Sequence, residues 1–169
     1  SALDHLEATG NPTDFDFGQG ESAIQLLNVG LLDSQINGRQ WEGIGNADHF
    51  LAPHGVYPCS EEDTWVAVSC SNDEQWEHLS SYLKINSLRK LRVSDRLMRH
   101  EEINAAIEAW TAQRSSKDAA ETLQQLGVAA HQVQGGKECV LDEQLRHRNW
   151  TVNVDHELMG SIPVRNSAI

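Results

Sequence analysis

In "NADHFLAPHGVYPC", residues 46–59, His49, His54 and Cys59 recur at equal steps around Pro53 and Gly55. Imidazole and thiolate groups ligate metals, and imidazole also carries protons. The stretch is therefore open to three readings: a metal centre, a loop that touches a ligand, or only the backbone entry to a β-hairpin. Zinc sites use close pairs such as C-x2-C or H-x3-H, because one turn must aim two ligands at one ion. The x4 gaps here offer no such pair, and no metal is expected. His5, His78, His100, His131, His147 and His156 are scattered and are expected at the surface or capping turns.

Nucleophilic chemistry is no better supported. No G-x-S-x-G elbow occurs, and no cysteine sits beside a basic residue that would lower its pKa. Cys70 ends an apolar alternating run and reads as a small core residue. Gly135-Gly136 is too short for a phosphate loop and reads as a turn. Glu61, Glu62 and Asp63 form a solvated hairpin turn, since like charges so close need water between them. No catalytic residue is named from these patterns.

The elements that must position the loop are legible from periodicity. A helical opening stops at Thr9-Gly10-Asn11-Pro12, where Gly and an X-Pro step both end helices. "TDFDF" (13–17) alternates like a short strand. Ile24, Leu27, Leu31 and Leu32 then predict a helix from Glu21 to Asn37, closed by Gly38. Residues 38–54 read as a long loop. "GVYPC" and "TWVAVSC", joined by "SEED", predict a hairpin. Ser71 and Glu74 predict a capping box for a helix with Trp76, Leu79 and Leu83 on one face. Further helices are predicted over 94–100, 101–114 (Ile103, Ala106, Ile107, Trp110) and after Ser115 to Gly127. "VAAHQV" is a predicted strand, "DEQLRHR" a short helix, and "WTVNVDH" and "SIPVRN" are extended.

This order implies an α+β fold, a small mixed or antiparallel sheet packed by helices on one side. The 169 residues and five tryptophans can build a core. A net charge of −12 argues against a nucleic-acid partner, which needs a basic surface. No apolar run approaches the ~20 residues of a membrane span, and no basic-then-apolar leader opens the chain. Three widely spaced cysteines fit reduced thiols and a cytoplasmic location.

Taken in order, several segments resemble the class III CoA-transferases (CaiB/BaiF type). "ALDHLEATG" resembles a family helix ending in Thr-Gly, and "FDFGQGESAIQLL" a strand-to-helix step. "NGRQWEGIGNADHFLAPHGVYPC" resembles the crossing into the small domain, with Gly-Asn and then Ala-Pro-x-Gly-x-Tyr. "INAAIEAWTAQRSSKDAAETLQQLGVAAHQV" resembles a helix pair and a Gly-Val strand, and "HELMGSIPVRN" a closing Pro-Val stretch. Asn11-Pro12 and "SEED" depart from the family's turn residues. "NADHFLAPHG" is bulkier than the glycine run that covers the active site in some members.

The resemblance implies a remnant of an α/β nucleotide-fold domain over 1–40 and a small α+β domain over 41–169. It implies coenzyme A as a substrate rather than a cofactor, acyl-CoA and carboxylic acid as partners, and a homodimer. Asn46, His49, His54 and Gly55 are the substrate-binding candidates, with Ala52-Pro53-His54-Gly55 facing the acyl-CoA cleft. Alternatively, Pro53 and Gly55 only shape the turn. Family transferases use an aspartate that forms anhydride and thioester intermediates. Asp4, Asp14 and Asp16 match positions after it, so the expectation is a fragment cut at both ends and inactive alone. The alternatives are a stand-alone small-molecule or acyl-CoA binding or assembly module, and a transferase or 2-methylacyl-CoA racemase half completed by a second chain.

Overall fold

The computed structural model describes residues 2–40 and 42–166. Ser1, Trp41 (at the expected domain boundary) and Ser167-Ala168-Ile169 (the end of the closing segment) lie outside the described residues. The chain divides into two units, Ser1–Gly43 and Ile44–Ile169.

In the first unit, α1 (Ala2–Thr9) ends at Gly10, whose N–H donates to Leu6 O at 2.7 Å in a left-handed conformation. The predicted strand at 13–17 is absent. Residues 11–18 form no regular element, because a two-fold alternation yields a strand only where another strand accepts its hydrogen bonds. The predicted 21–37 helix starts earlier, at Gln19, and is divided by a tighter 3₁₀ turn. It runs as α2 (Gln19–Ile24), the turn Gln25–Leu27 and α3 (Asn28–Asn37). Asn28 and Gly30, both weak helix formers, follow that turn. The stripe Ile24, Leu27, Leu31, Leu32 stays exposed.

The second unit is built on a three-stranded antiparallel sheet, β1 (His54–Pro58), β2 (Trp65–Ser69) and β3 (Ala129–Gln132), in the order β1-β2-β3. Val66 lies opposite Tyr57, and Val68 opposite both Gly55 and Ala130. Period-two alternation sends Tyr57, Val66 and Val68 inward. They pack with Trp76 and Leu79 of α4 (Asp73–Tyr82), with Leu88 of the turns that follow it, with Ile103 and Ile107 of α6 (His100–Thr111), and with Ala119 and Leu123 of α7 (Ser116–Gln125). Each fully buried large side chain contributes about 1.5–3 kcal/mol. The Trp76 indole N–H is satisfied by Leu88 O at 2.9 Å. The opposite face of the sheet carries His54, Val56, Ala67, Ser69 and His131, none of which belongs to this core.

The α4 cap lies one residue later than predicted. Asn72 Oδ1 accepts from Gln75 N at 2.9 Å, and Gln75 Oε1 accepts from Ser71 N at 2.8 Å. Asn caps as well as Ser, and Gln replaces Glu in the reciprocal bond. Short α5 (Val93–Met98) precedes α6. Ser115 caps α7 as expected, accepting from Asp118 N. Gly127, at φ +75°, lets Val128 N reach back to Leu123 O at 3.0 Å and closes it. Gly135-Gly136 leads straight into a helix missed in the sequence, α8 (Gly136–Leu141), and α9 (Glu143–His147) follows. The last two strands, β4 (Thr151–His156) and β5 (Gly160–Arg165), pair with each other as a separate ribbon.

Candidate functional site

The loop before β1 is held by its own backbone and by one buried cation. Asp48 Oδ1 accepts from the N–H groups of Phe50 (2.7 Å) and Leu51 (2.9 Å), a side-chain turn. Ala52 is buried, and the Ala52-Pro53 bond is cis. Pro53 O accepts from Cys70 N at 2.9 Å, which ties the loop to the end of β2. Arg96 of α5, fully buried, donates through Nε to Ala52 O at 2.5 Å. Its Nη1 donates to Leu91 O at 3.0 Å and to Asp73 Oδ1 at 2.7 Å. The guanidinium also lies over the Trp76 ring, 5.7 Å from its centroid.

His54 follows this anchor. Its Nδ1 lies 2.8 Å from Asn46 O. A carbonyl only accepts, so Nδ1–H is the donor and Nε2 is the ring atom left to face a ligand. Gly55 makes room for a neighbour: a Cβ there would stand 3.0 Å from the Tyr57 hydroxyl. That hydroxyl donates to Asn104 Oδ1 of α6 at 2.7 Å. Burial, with a smaller push from Cys70, raises the Tyr57 phenol far above its ordinary range. The group therefore remains a protonated donor.

Two cavities meet at His54. One, of about 600 Å³, lies over the outer sheet face and is lined in part by Asn46, His54, Gly55, Ala67 and His131. The other, of about 460 Å³, lies between the loop and α5–α6 and is lined in part by Asp48, His49, His54, His100 and Asn104. Both volumes fall within the ~300–1,000 Å³ of small-molecule sites. Of the sequence candidates, Asn46, His54 and Gly55 thus share the first cavity, and His49 and His54 the second. Cys59 borders neither, and its thiol is raised by burial and then by Glu61. The buried Cys70 thiol is pushed up to about 12, chiefly by burial, which leaves it no nucleophile near neutral pH.

Sequence reasoning missed Arg96, His100 and Asn104. His100 had been expected at the surface or in a capping role; its Nδ1 lies 3.1 Å from Leu97 O, and its ring also borders the second cavity. Arg96 carried no visible signal beyond its place in a short polar helix. Among the described residues, no three His, Cys, Asp or Glu side chains converge as a metal site, and no helix is long and apolar enough to cross a membrane.

The sequence model of CoA-transferase family III matches residues 1–169. "Probable CoA-transferase Rv1866" of Mycobacterium tuberculosis is 27% identical over 163 residues, which are 94% of this chain and 20% of that protein. Succinyl-CoA–D-citramalate CoA-transferase of Chloroflexus aurantiacus is 22% identical over 172 residues, covering 98% of this chain and 42% of that protein. A CaiB/BaiF family protein from Brucella suis shares the fold with a TM-score of 0.69 at 20% identity, over 99% of this chain and 47% of that one. The chain thus spans less than half the length of each of these proteins.

Proposed function

This chain belongs to CoA-transferase family III, and we propose that it supplies the small-domain part of an enzyme moving CoA between an acyl-CoA and a carboxylic acid. The observation that carries the reading is the family match over all 169 residues. The Chloroflexus relative, named for transfer between succinyl-CoA and D-citramalate, supports this substrate class. On this reading coenzyme A is a substrate and no cofactor is needed. Asn46, His49, His54 and Gly55 face the acyl-CoA and acid, on a loop fixed by Arg96.

The aspartate nucleophile of the resembled transferases has no counterpart at Asp4, Asp14 or Asp16. The reading therefore has these 169 residues bind without turning over. It assigns the protein to the cytoplasm, consistent with three free cysteines. It also assigns a homodimer, supported by the exposed stripe Ile24, Leu27, Leu31 and Leu32, since an uncovered apolar stripe seeks a partner. A second reading, a binding or assembly module without catalysis, is favoured by the second unit supplying, among the described residues, the lining of both cavities.

The test is an assay of CoA transfer from succinyl-CoA to acetate by the purified chain. Saturable acyl-CoA binding without transfer is expected. Transfer by the chain alone would overturn the claim that the nucleophile lies elsewhere, and absence of acyl-CoA binding would remove the role given to the loop.

A further inference from the structure

The cavity between the loop and α5–α6 has a donor set that the loop motif alone does not reveal. Tyr57 O–H donates to Asn104 Oδ1, which leaves the Asn104 amide nitrogen as the group to serve a ligand. His54 and His100 both commit Nδ1–H to backbone carbonyls, of Asn46 and Leu97, so Nε2 is the ring atom each has left for a ligand. Among the described residues, no Lys or Arg lines the cavity. Asp48, the carboxylate that lines it among the described residues, already accepts two backbone N–H groups through Oδ1.

We infer that this cavity is a carboxyl pocket that holds one carboxyl group of a small organic acid between the Asn104 amide and the Nε2 of His100, one helical turn apart on α6, with His54 bordering it. The inference rests on the reading above only for naming that acid as the partner in CoA transfer. A carboxyl group with its proton offers one carbonyl acceptor and one O–H donor. Asn104 Nδ2–H complements the first, and an imidazole Nε2 complements the second. At neutral pH the acid arrives as a carboxylate, so the proton comes from solvent and lies between imidazole and carboxyl. No covalent bond of the acid is broken.

The surrounding groups favour this proton. Among the described residues, the titratable groups that line the cavity are Asp48 and His49 from the loop, His54 from β1 and His100 from α6, and α5 contributes Leu97. Arg96 lies behind Ala52 and is engaged by Asp73, so among the described lining residues Asp48 is the fixed charge nearest the acid, and it disfavours a second bare carboxylate. With the proton taken up, the acid is held as a neutral acid or as an imidazolium–carboxylate pair. Apolar Ile44, Leu51 and Leu97 suit the short carbon chain.

The test uses the whole chain with ¹⁵N-labelled histidine, titrated with succinate near neutral pH. The ring signals of His54 and His100 are expected to shift saturably. Those of His78, whose Nδ1 lies on Leu126 O and which does not line the cavity, should stay still. Calorimetry in buffers of different ionisation heat should register uptake of about one proton. Asn104→Asp keeps an acceptor for Tyr57 and should weaken binding by at least ~tenfold with the circular dichroism spectrum unchanged. Dimethyl succinate, which only accepts, and 1,4-butanediol, which has no carboxyl, should bind at least ~tenfold more weakly. Silent His54 and His100 rings, no proton uptake, or equal binding of the diester or the diol would each overturn the pocket. A parallel titration with acetyl-CoA separates the two claims. Acetyl-CoA binding with silent succinate would sink the pocket and leave the CoA reading. Succinate binding with silent acetyl-CoA would support the pocket and sink the CoA reading.

Discussion

The Tyr57 hydroxyl donates to Asn104 Oδ1 at 2.7 Å, joining β1 to α6 across 47 positions of sequence, and it fits only because residue 55 has no side chain. The contact ties a core strand to the rim of the second cavity, so its disturbance should be read both in stability and in binding.

A double-mutant cycle on Gly55 and Tyr57 measures that fit. Gly55→Ala brings a methyl to 3.0 Å from the hydroxyl and 3.1 Å from the ring carbon that bears it, and should cost about 1–3 kcal/mol. Tyr57→Phe should cost about 1 kcal/mol. In urea unfolding the double variant is expected to lose less than the sum by about 0.5 kcal/mol or more. Only part of the clash is relieved, because the ring carbon stays. Strict additivity would mean the hydroxyl does not feel residue 55.

Arg96 should be the most sensitive polar residue of the second unit. Arg96→Met keeps much of the packing but strands the carbonyls of buried Ala52 and of Leu91, at a cost of roughly 3 kcal/mol. The loss should appear as a lower urea midpoint. Faster amide exchange over residues 44–55 should accompany it, because the guanidinium fixes the loop. A variant with an unchanged midpoint would show the clamp to be idle.

Acid should weaken the same clamp. The hydrogen bond from Arg96, helped by Arg92, holds the Asp73 carboxyl below the ordinary carboxylate range. A lowered native pKa gives stability that is full above the unfolded value, ~3.9, and is lost as pH falls through the native one. Asp142 shifts the same way, through Gln134 and the Leu145 N–H. Stability should therefore decline below about pH 4, and Asp73→Asn should flatten part of that decline in pH-dependent denaturation. A decline equally steep in the variant would assign it to other groups.

On the alkaline side the sign is reversed. Burial raises the Cys70 thiol from 9.0 to about 12, so its contribution is full below pH 9.0 and lost as pH rises toward 12. Cys70→Ala should flatten the fall in stability above pH 9.0 relative to the native chain. An unchanged slope would mean the thiol does not titrate on unfolding.

What could be read in advance follows from the range of the forces involved. The β1–β2 hairpin, the α6 stripe of Ile103 and Ile107, and the Ser115 cap are set by neighbours a few residues apart, and they stand as expected. "TDFDF" alternates like a strand yet forms none, since pairing needs a distant edge that periodicity cannot supply. The α4 cap moved to Asn72 because Ser, Asn, Glu and Gln all satisfy the same orphan N–H groups. His54 stood out through its motif, whereas Asn104 and His100 enter the cavity only when α6 packs beside the loop. Arg96 carried no sequence signal of burial, which follows from the carbonyls of Ala52, distant in sequence, and of Leu91, outside any pattern.

The account rests most directly on the loop at Asn46–Gly55 meeting an acyl-CoA. Equilibrium binding of acetyl-CoA to the chain, compared with His54→Ala and with His147→Ala as a control outside both cavities, tests it. Saturable binding, weakened at least ~tenfold by the first change and unaffected by the second, is the expected result. Binding that ignores His54, or no binding by a folded chain, would contradict it.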